Sequence, residues 1–287
     1  MLNSHFRVLH EANRASWNAA TIAHNSHKGD QIRFFNDGGE TLFPEELELL
    51  GDVRGKRVLH LQCNCGQDSL SLARRGAEVV GVDISDQAID FARNLSLRTR
   101  ILVEFHRADL YAWLPEQQKL SESFDIVYSS YGALRYLSSV DVWARLIAGV
   151  LRSGGRLVLI DFHPMLQMFD RSGDFHHPYS APGEPRTCEL GVSDYVGDSG
   201  PELLAGDFHE GIRKFANPYP HHTFHWGLGE IVNAVLSAGY RVDALREYPF
   251  ANGLRHFENG QACEQRQMLP PSHLPRLPMM FGLQAIL

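Results

Sequence analysis

Between residues 57 and 162 short apolar runs alternate with segments of helical period. "RVLHLQC" (Arg57–Cys63), "AEVVGVDIS" (Ala77–Ser85), "ILVEFHRAD" (Ile101–Asp109), "FDIVYSSYG" (Phe124–Gly132) and "RLVLIDF" (Arg156–Phe162) read as strands rich in branched and aromatic residues. The intervening "DSLSLARRG" and "DQAIDFARNLS" carry apolar residues at helical spacing, and Gly76 is a C-cap for the first. "SVDVWARLIAGVLRSGG" predicts a helix with Ser139 as N-cap and Gly154 at its end. Strands that alternate with helices imply an α/β fold, a parallel sheet covered by helices on both faces. Residues 1–50 are helical with a turn-rich bridge at "FFNDGGETLFPEEL". Residues 164–220 break the rhythm: they are rich in Pro, Gly, His and aromatics and predict short strands and loops. The alternation returns with "LGEIVNAVLSAGY", "RVDALREYPF" and the strand "PMMFGLQAIL". The expected organisation is a helical cap (1–50), a core (51–163 and 221–287) and an insertion after the fifth strand (164–220).

Composition narrows the function. Of 287 residues, 44% are hydrophobic and 21% charged, as in globular enzymes. A net charge of -7 argues against nucleic acid as the main partner, since phosphate binding needs a basic face. No apolar run reaches the roughly 18 residues of a membrane span, and "MLNSHFRVLHEANRASW" lacks a signal-peptide core. Four cysteines are too few for a disulfide scaffold of this length, so reduced thiols and a cytoplasmic protein are expected.

In a doubly wound sheet the ligand lies beyond the C-terminal strand ends, so the loop after the first strand is decisive. Dinucleotide loops use glycines so that backbone can approach the pyrophosphate. Here Gln62 and Asn64 occupy two of those places and Gly66 alone remains, which disfavours a nicotinamide or flavin redox enzyme; a P-loop ending is also missing. S-adenosylmethionine has no phosphate and needs only one tight backbone position. Asp83 ends the second strand, where a carboxylate can accept both ribose hydroxyls. Asp109 follows the third, where an acid can take an adenine amino group. The plainer readings are a helix-terminal charge for Asp83 and a cap for Asp109.

These segments, taken in order, resemble a Rossmann-like (class I) S-adenosylmethionine-dependent methyltransferase. The family's usual first motif is Asp-x-Gly-x-Gly-x-Gly; here His60 stands for the Asp, Gln62 and Asn64 for the first two glycines, and Gly66 keeps the third. "LHLQC…GQD", "FDIVYSSYG", "LRSGGRLVLIDFHP", "LGEIV" and "LPMMFGLQAIL" are similar to a bacterial small-molecule subgroup. The resemblance implies a mostly parallel seven-stranded sheet with its last strand antiparallel. It also implies S-adenosylmethionine lying along His60, Gln62, Cys63, Asn64, Gly66, Gln67, Asp68, Asp83, Ile84, Ser85, Ala108, Asp109, Leu110, Ser129 and Ser130. The family places the N-terminal segment over the cofactor, which makes Trp17 and His24 lid residues. Cys63 reads equally as a small buried residue.

Methyl transfer is an in-line displacement that needs positioning and modest base help. His163 after the fifth strand, Tyr131 after the fourth and His225 before the "LGEIV" helix are the base or lining candidates. Each has a structural alternative: a turn before Pro164 for His163, packing under the insertion for Tyr131. "HHTFH" spaces His221 and His225 as a zinc helix does, but the Glu of a metalloprotease is missing and the residues favour a strand, so no metal is expected. The aromatic, His-rich insertion (Phe169, Phe175, His176, His177, Tyr179, Tyr195, Phe208, His209, Tyr219) suits a planar small-molecule acceptor. The expected protein is a monomer or homodimer acting on a small molecule, with neither nucleic acid nor membrane as partner. The alternatives are a macromolecule methyltransferase and a non-catalytic cofactor-binding protein.

Overall fold

The computed structural model describes residues 4–120 and 123–287. The chain opens with α1 (Ser4–Ser26), α2 (Gln31–Asn36) and α3 (Pro44–Leu50). The core follows as β1 (Arg57–Leu61), α4 (Gln67–Arg74), β2 (Glu78–Asp83), α5 (Asp86–Thr99), β3 (Glu104–Arg107), α6 (Leu110–Lys119), β4 (Phe124–Ser130), α7 (Val140–Ala148) and β5 (Leu151–Phe162). Next come β6 (Ala181–Cys188), α8 (Tyr195–Ser199), β7 (His221–His225), α9 (Leu228–Ser237), β8 (Arg241–Tyr248), β9 (Ala251–Asn252), β10 (Gln261–Cys263), β11 (Gln267–Leu269) and β12 (Met280–Ile286).

Seven strands form one sheet in the order β3-β2-β1-β4-β5-β12-β8. β12 runs antiparallel to both β5 and β8, and the other pairings are parallel. The expected α/β sheet with an antiparallel last strand is therefore observed. β1, β2 and β4 are buried almost throughout, as strands covered on both faces must be. Alternate residues feed opposite layers. Leu59, Leu61 and Val127 pack under α6, α7 and α9 against Leu114, Trp143 and Val235. Val58, Ile126 and Tyr128 pack on the other face with Leu49, Leu50 and Leu72. Ser85, Asp109 and Ser139 accept backbone N–H groups at the N-termini of α5, α6 and α7, which fixes where each helix leaves the sheet.

Some boundaries differ from the pattern. The helix from Ser139 stops at Ala148 rather than Gly154, and Leu151–Gly155 already belong to β5 because Leu151 pairs with Phe124. β3 keeps only Glu104–Arg107 of its longer apolar run, being an edge strand with one partner. The hydrophobic pattern did not mark α6, whose second half, "PEQQK", is polar and contains Pro115. β9, β10 and β11 form a small separate sheet that the pattern also left unmarked. The segment 164–220 contains α8 and β6, and β6 pairs antiparallel with β7 so that Cys188 faces His221 and Arg186 faces Thr223. "HHTFH" is thus a strand, where period two separates His221 and His225 from His222.

α1 holds the segment 164–220 and strand β7. Ser16 Oγ donates to Tyr219 O (2.9 Å) and accepts from Val192 N–H (2.9 Å). Asn13 exchanges two hydrogen bonds with the backbone of His222, at 2.9 and 2.6 Å. Among the described residues no helix is long and apolar enough to cross a membrane.

Candidate active site

The strand order reverses between β1 and β4, and a cavity of about 1490 Å3 opens there beyond the strand ends. Its floor is Gln62–Asn64 after β1, Asp83 and Ile84 at the end of β2, Ala108 and Asp109 after β3, and Ser130–Gly132 after β4. α1 roofs it with His10, Asn13 and Trp17, and the insertion closes a further side.

The glycine-poor loop has a defined backbone. Gln62 (φ 54°), Asn64 (φ 48°) and Gly66 (φ 75°) all adopt the left-handed conformation, at the alternating places where the family motif has glycine. A non-glycine residue there costs about 1–2 kcal/mol, less for Asn, whose short amide bonds locally. Asn64 Oδ1 accepts the Cys65 N–H at 2.7 Å, and Gln62 Nε2 donates to Ala133 O at 2.9 Å. The side chains thus hold a curve that glycine would adopt freely. Gly66 is different: a Cβ there would lie 2.6 Å from Phe105 Cζ and 2.9 Å from Ala92 Cβ, both in the packing beneath the loop. Gly66→Ala therefore combines a positive φ with overpacking, and an equilibrium denaturation series should show a loss of about 2 kcal/mol or more; an unchanged midpoint would contradict this account.

The loop closes over Asp83. Its carboxylate accepts the backbone N–H of Asn64 (2.8 Å) and of Ser85 (2.8 Å). Burial raises its pKa, and those N–H groups oppose the rise. Asp109 accepts the Tyr111 N–H (2.8 Å) as the cap of α6 and also pairs with His10 Nδ1 at 2.7 Å. The cap alternative for Asp109 is therefore realised while the residue still faces the cavity. His60 is buried, with Nδ1 2.8 Å from Ser69 Oγ; burial lowers its pKa to about 4, so the ring is neutral. Asp68 accepts the Thr41 hydroxyl at 2.5 Å.

Two amide atoms in this floor, Gln62 Oε1 and Gln67 Nε2, are buried without a hydrogen-bond partner. An acceptor and a donor left open beside one loop fit the ammonium and carboxylate of an amino acid. Trp17 stands edge-on to Tyr136 (5.5 Å) and to Tyr195 (6.3 Å), and all three line the cavity. Such rings suit a sulfonium cation.

Of the residues expected at the site, Trp17, His60, Gln62, Cys63, Asn64, Gln67, Asp68, Asp83, Ile84, Ala108, Asp109, Leu110, Ser130 and Tyr131 line the cavity. Six others stand outside the lining. Gly66 shapes the loop from below. Ser85 caps α5, accepting the Ala88 N–H at 3.1 Å. Ser129 is fully buried inside β4. His24 lies behind Trp17 and contacts Ser193 O at 2.9 Å. His163 continues the β5–β12 ladder, its N–H donating to Met279 O (2.9 Å), and its Nε2 is 2.9 Å from Glu247 Oε1. His163 is thus turned out of the lining, although its neighbour Phe162 belongs to it. His225 is 4% exposed and contacts His177, which does line the cavity.

Tyr131 is a strained residue (φ 43°) followed by Gly132 at φ 86°. Asp161 holds this bend by accepting N–H groups from Gly132, Leu134 (2.9 Å) and Phe162 (2.7 Å). Burial pushes the Tyr131 phenol up, so it remains a neutral hydrogen-bonding group; its oxygen accepts from Asn252 Nδ2 at 3.2 Å. His10, Asn13, Arg135, Tyr136 and Arg186 also face the cavity, and no motif in the sequence marks them.

Residues 58–155 match the methyltransferase domain family. An uncharacterized methyltransferase of Synechocystis sp. is 34% identical over 138 residues, 46% of this chain and 60% of that protein. The magnesium-protoporphyrin O-methyltransferase of Rhodobacter capsulatus is 37% identical over 108 residues, 36% of this chain and 48% of that protein. The chain spans about half the length of the curated relatives it matches. The solved CcbJ methyltransferase of Streptomyces caelestis superposes with a TM-score of 0.57 at 14% identity, covering 95% of this chain and 98% of that one. An S-adenosylmethionine dependent methyltransferase of Mesorhizobium loti gives 0.54 at 19% identity, covering 88% and 100%. The structural likeness establishes the fold. The sequence match establishes a methyltransferase domain, an enzyme unit, at residues 58–155.

Proposed function

We propose, with the methyltransferase domain at residues 58–155 as premise, that the whole chain transfers a methyl group from S-adenosylmethionine to an oxygen or nitrogen of a small planar molecule. The observation that carries the reading is the left-handed loop folded over Asp83 at the switch point, with two open amide atoms beside it. The cavity volume supports a second ligand. About 1490 Å3 exceeds the roughly 300–1,000 Å3 of a pocket for one drug-sized molecule, so cofactor and acceptor fit together.

When bound, S-adenosylmethionine supplies an electrophilic methyl on a sulfonium, and the acceptor's lone pair displaces the thioether. The chain's own work is positioning and drying. Gln62 and Gln67 receive the amino-acid end, Asp83 accepts the ribose hydroxyls, and Asp109 with His10 borders the base. Trp17, Tyr136 and Tyr195 enclose the sulfonium in aromatic faces. Tyr131, locked in its bend by Asp161, directs a neutral phenol toward the acceptor. His177 and His221 line the cavity with pKa values lowered to about 4, chiefly by burial. Both are therefore neutral imidazoles at neutral pH, able to hydrogen-bond the acceptor. His163 and His225 have no part in this scheme.

The relatives act on different acceptors by name, among them magnesium-protoporphyrin and demethylmenaquinone, and these planar molecules favour a similar acceptor class here. The test is release of S-adenosylhomocysteine with panels of phenols, heteroaromatic amines and carboxylic acids, beside RNA and protein. Turnover on a small planar molecule is expected. Methylation of RNA or protein alone would sink the reading.

A further inference from the structure

Where the β6–β7 ribbon meets the turn after β4, two arginines line the cavity without an ion pair among the described residues. Period two puts Arg186 and Cys188 of β6 on one face with His221 and Thr223 of β7, and all four line the cavity. Arg135, in the turn Leu134–Tyr136, lines the same cavity, and the Tyr136 ring stands 6.0 Å from His221. Among the described residues neither Arg135 nor Arg186 makes an ion pair or a side-chain hydrogen bond, and Arg135 Nε and His221 Nδ1 are buried without any partner.

This is not for want of acids. The chain carries 34 of them against 27 lysines and arginines, yet those lining this side of the cavity are engaged elsewhere. Asp194 pairs with His27, Asp198 with Arg171, and Glu210 with Arg213. Asp170 accepts N–H groups of its own turn, from Ser172, Gly173 and Asp174. Asp161, which feels the charge of Arg135, has its carboxylate occupied by three backbone N–H groups. Burial and then Arg135 lower the Arg186 pKa, so the two cations repel each other across this corner. Arg135 is half-buried with its Nε left without an acceptor, which is costly, Arg186 stands beside it at the cavity wall, and a carboxylate or phosphate is the acceptor their planar forks match.

We infer that this corner binds an oxyanion on the methyl acceptor, a carboxylate or a phosphate, through Arg135 and Arg186. The inference rests on the methyl-transfer reading and names its substrate class: a planar molecule that carries a negative charge away from the methylated atom. His221 adds a neutral N–H donor, and Tyr136 joins the anion corner to the aromatic wall at Trp17.

The experiment uses the whole chain, first titrated with S-adenosylhomocysteine and then, with and without that ligand, with 2-naphthoate, 2-naphthyl phosphate and neutral 2-naphthamide. At least one acid should bind roughly tenfold or more tightly than the amide. Arg135→Gln and Arg186→Gln should each abolish that preference and leave the S-adenosylhomocysteine affinity within about twofold. Arg186 lies on an exposed ribbon position, so its variant keeps the test valid if the Arg135 variant folds poorly. The better of the two acids identifies the anion. Failure of both acids at millimolar concentration, equal binding of acid and amide, or an acid preference that survives both substitutions overturns the inference. A wild type that ignores S-adenosylhomocysteine but still prefers the acids would instead remove the methyltransferase reading and keep an anion site.

Discussion

Replacing Asp83 with asparagine should weaken S-adenosylhomocysteine binding by about a hundredfold, while the protein stays folded. The carboxylate lines the cavity and already accepts two backbone N–H groups, from Asn64 and Ser85. An asparagine oxygen can keep one of these, so the loop loses one charge-assisted bond and the ribose hydroxyls lose an ionised acceptor. Hydrogen bonds to a charged group contribute about 1.5–3 kcal/mol each, and two ribose hydroxyls together account for a change of that order. Calorimetric titration of the variant beside the wild type, with circular dichroism as a check of folding, measures it. Undiminished affinity in the folded variant would mean that Asp83 serves only the loop.

The second large effect concerns stability and pH. Glu46 is 0% exposed, accepts the Tyr128 hydroxyl at 2.7 Å and the Phe43 N–H at 2.5 Å, and makes no ion pair among the described residues. Burial, followed by the charge of Asp68, pushes its pKa up to about 8. Because the folded value lies above the unfolded one, near 4.3, the unfolded chain releases this proton first as pH rises. Stability is therefore full below about pH 4.3 and declines between there and about pH 8, at about 1.4 kcal/mol per unit of pKa difference. Over that window the expected loss is several kcal/mol. Glu46→Gln removes the titration, so in guanidinium denaturation the variant should gain on the wild type from pH 5 to pH 8.5. Parallel pH profiles for the two proteins would show that Glu46 ionises freely in the fold.

How much of this could be read from the chain depends on distance along it. The cofactor floor is local to strand ends: Gln62–Asn64, Asp83 and Asp109 each follow a run of buried branched residues, so the order of the runs places them. Their left-handed loop was not legible as such, because Gln62 is held in it by a tertiary bond to Ala133, while Asn64 bonds the adjacent Cys65 N–H. His163 looked like a site residue by the same strand-end logic. It misleads because β5 sends Phe162 into the cavity, while His163 continues the ladder toward β12 and meets Glu247 and Phe281. His225 shares a face with His221, but the strand ends there and His177 takes the position toward the cavity. His10, Arg135 and Arg186 come from segments with no pattern to mark them, and their approach is set by α1 and the ribbon packing over the core. The pairing of His10 with Asp109 spans 99 residues, which no local rule reports.

The place of β12 in the sheet also bears on how the protein is made. Met280–Ile286 lies between β5 and β8, and it leaves the ribosome after every other strand of this sheet. Until it arrives, the nascent chain can complete β3-β2-β1-β4-β5 with its helices but must leave the backbone of Leu157–Ile160 unpaired on one side, with β8 unattached. Such an open apolar edge invites pairing with other chains. A polypeptide stalled or cut before Met280 would thus hold a nearly complete cofactor floor and still depend on chaperones to stay in solution.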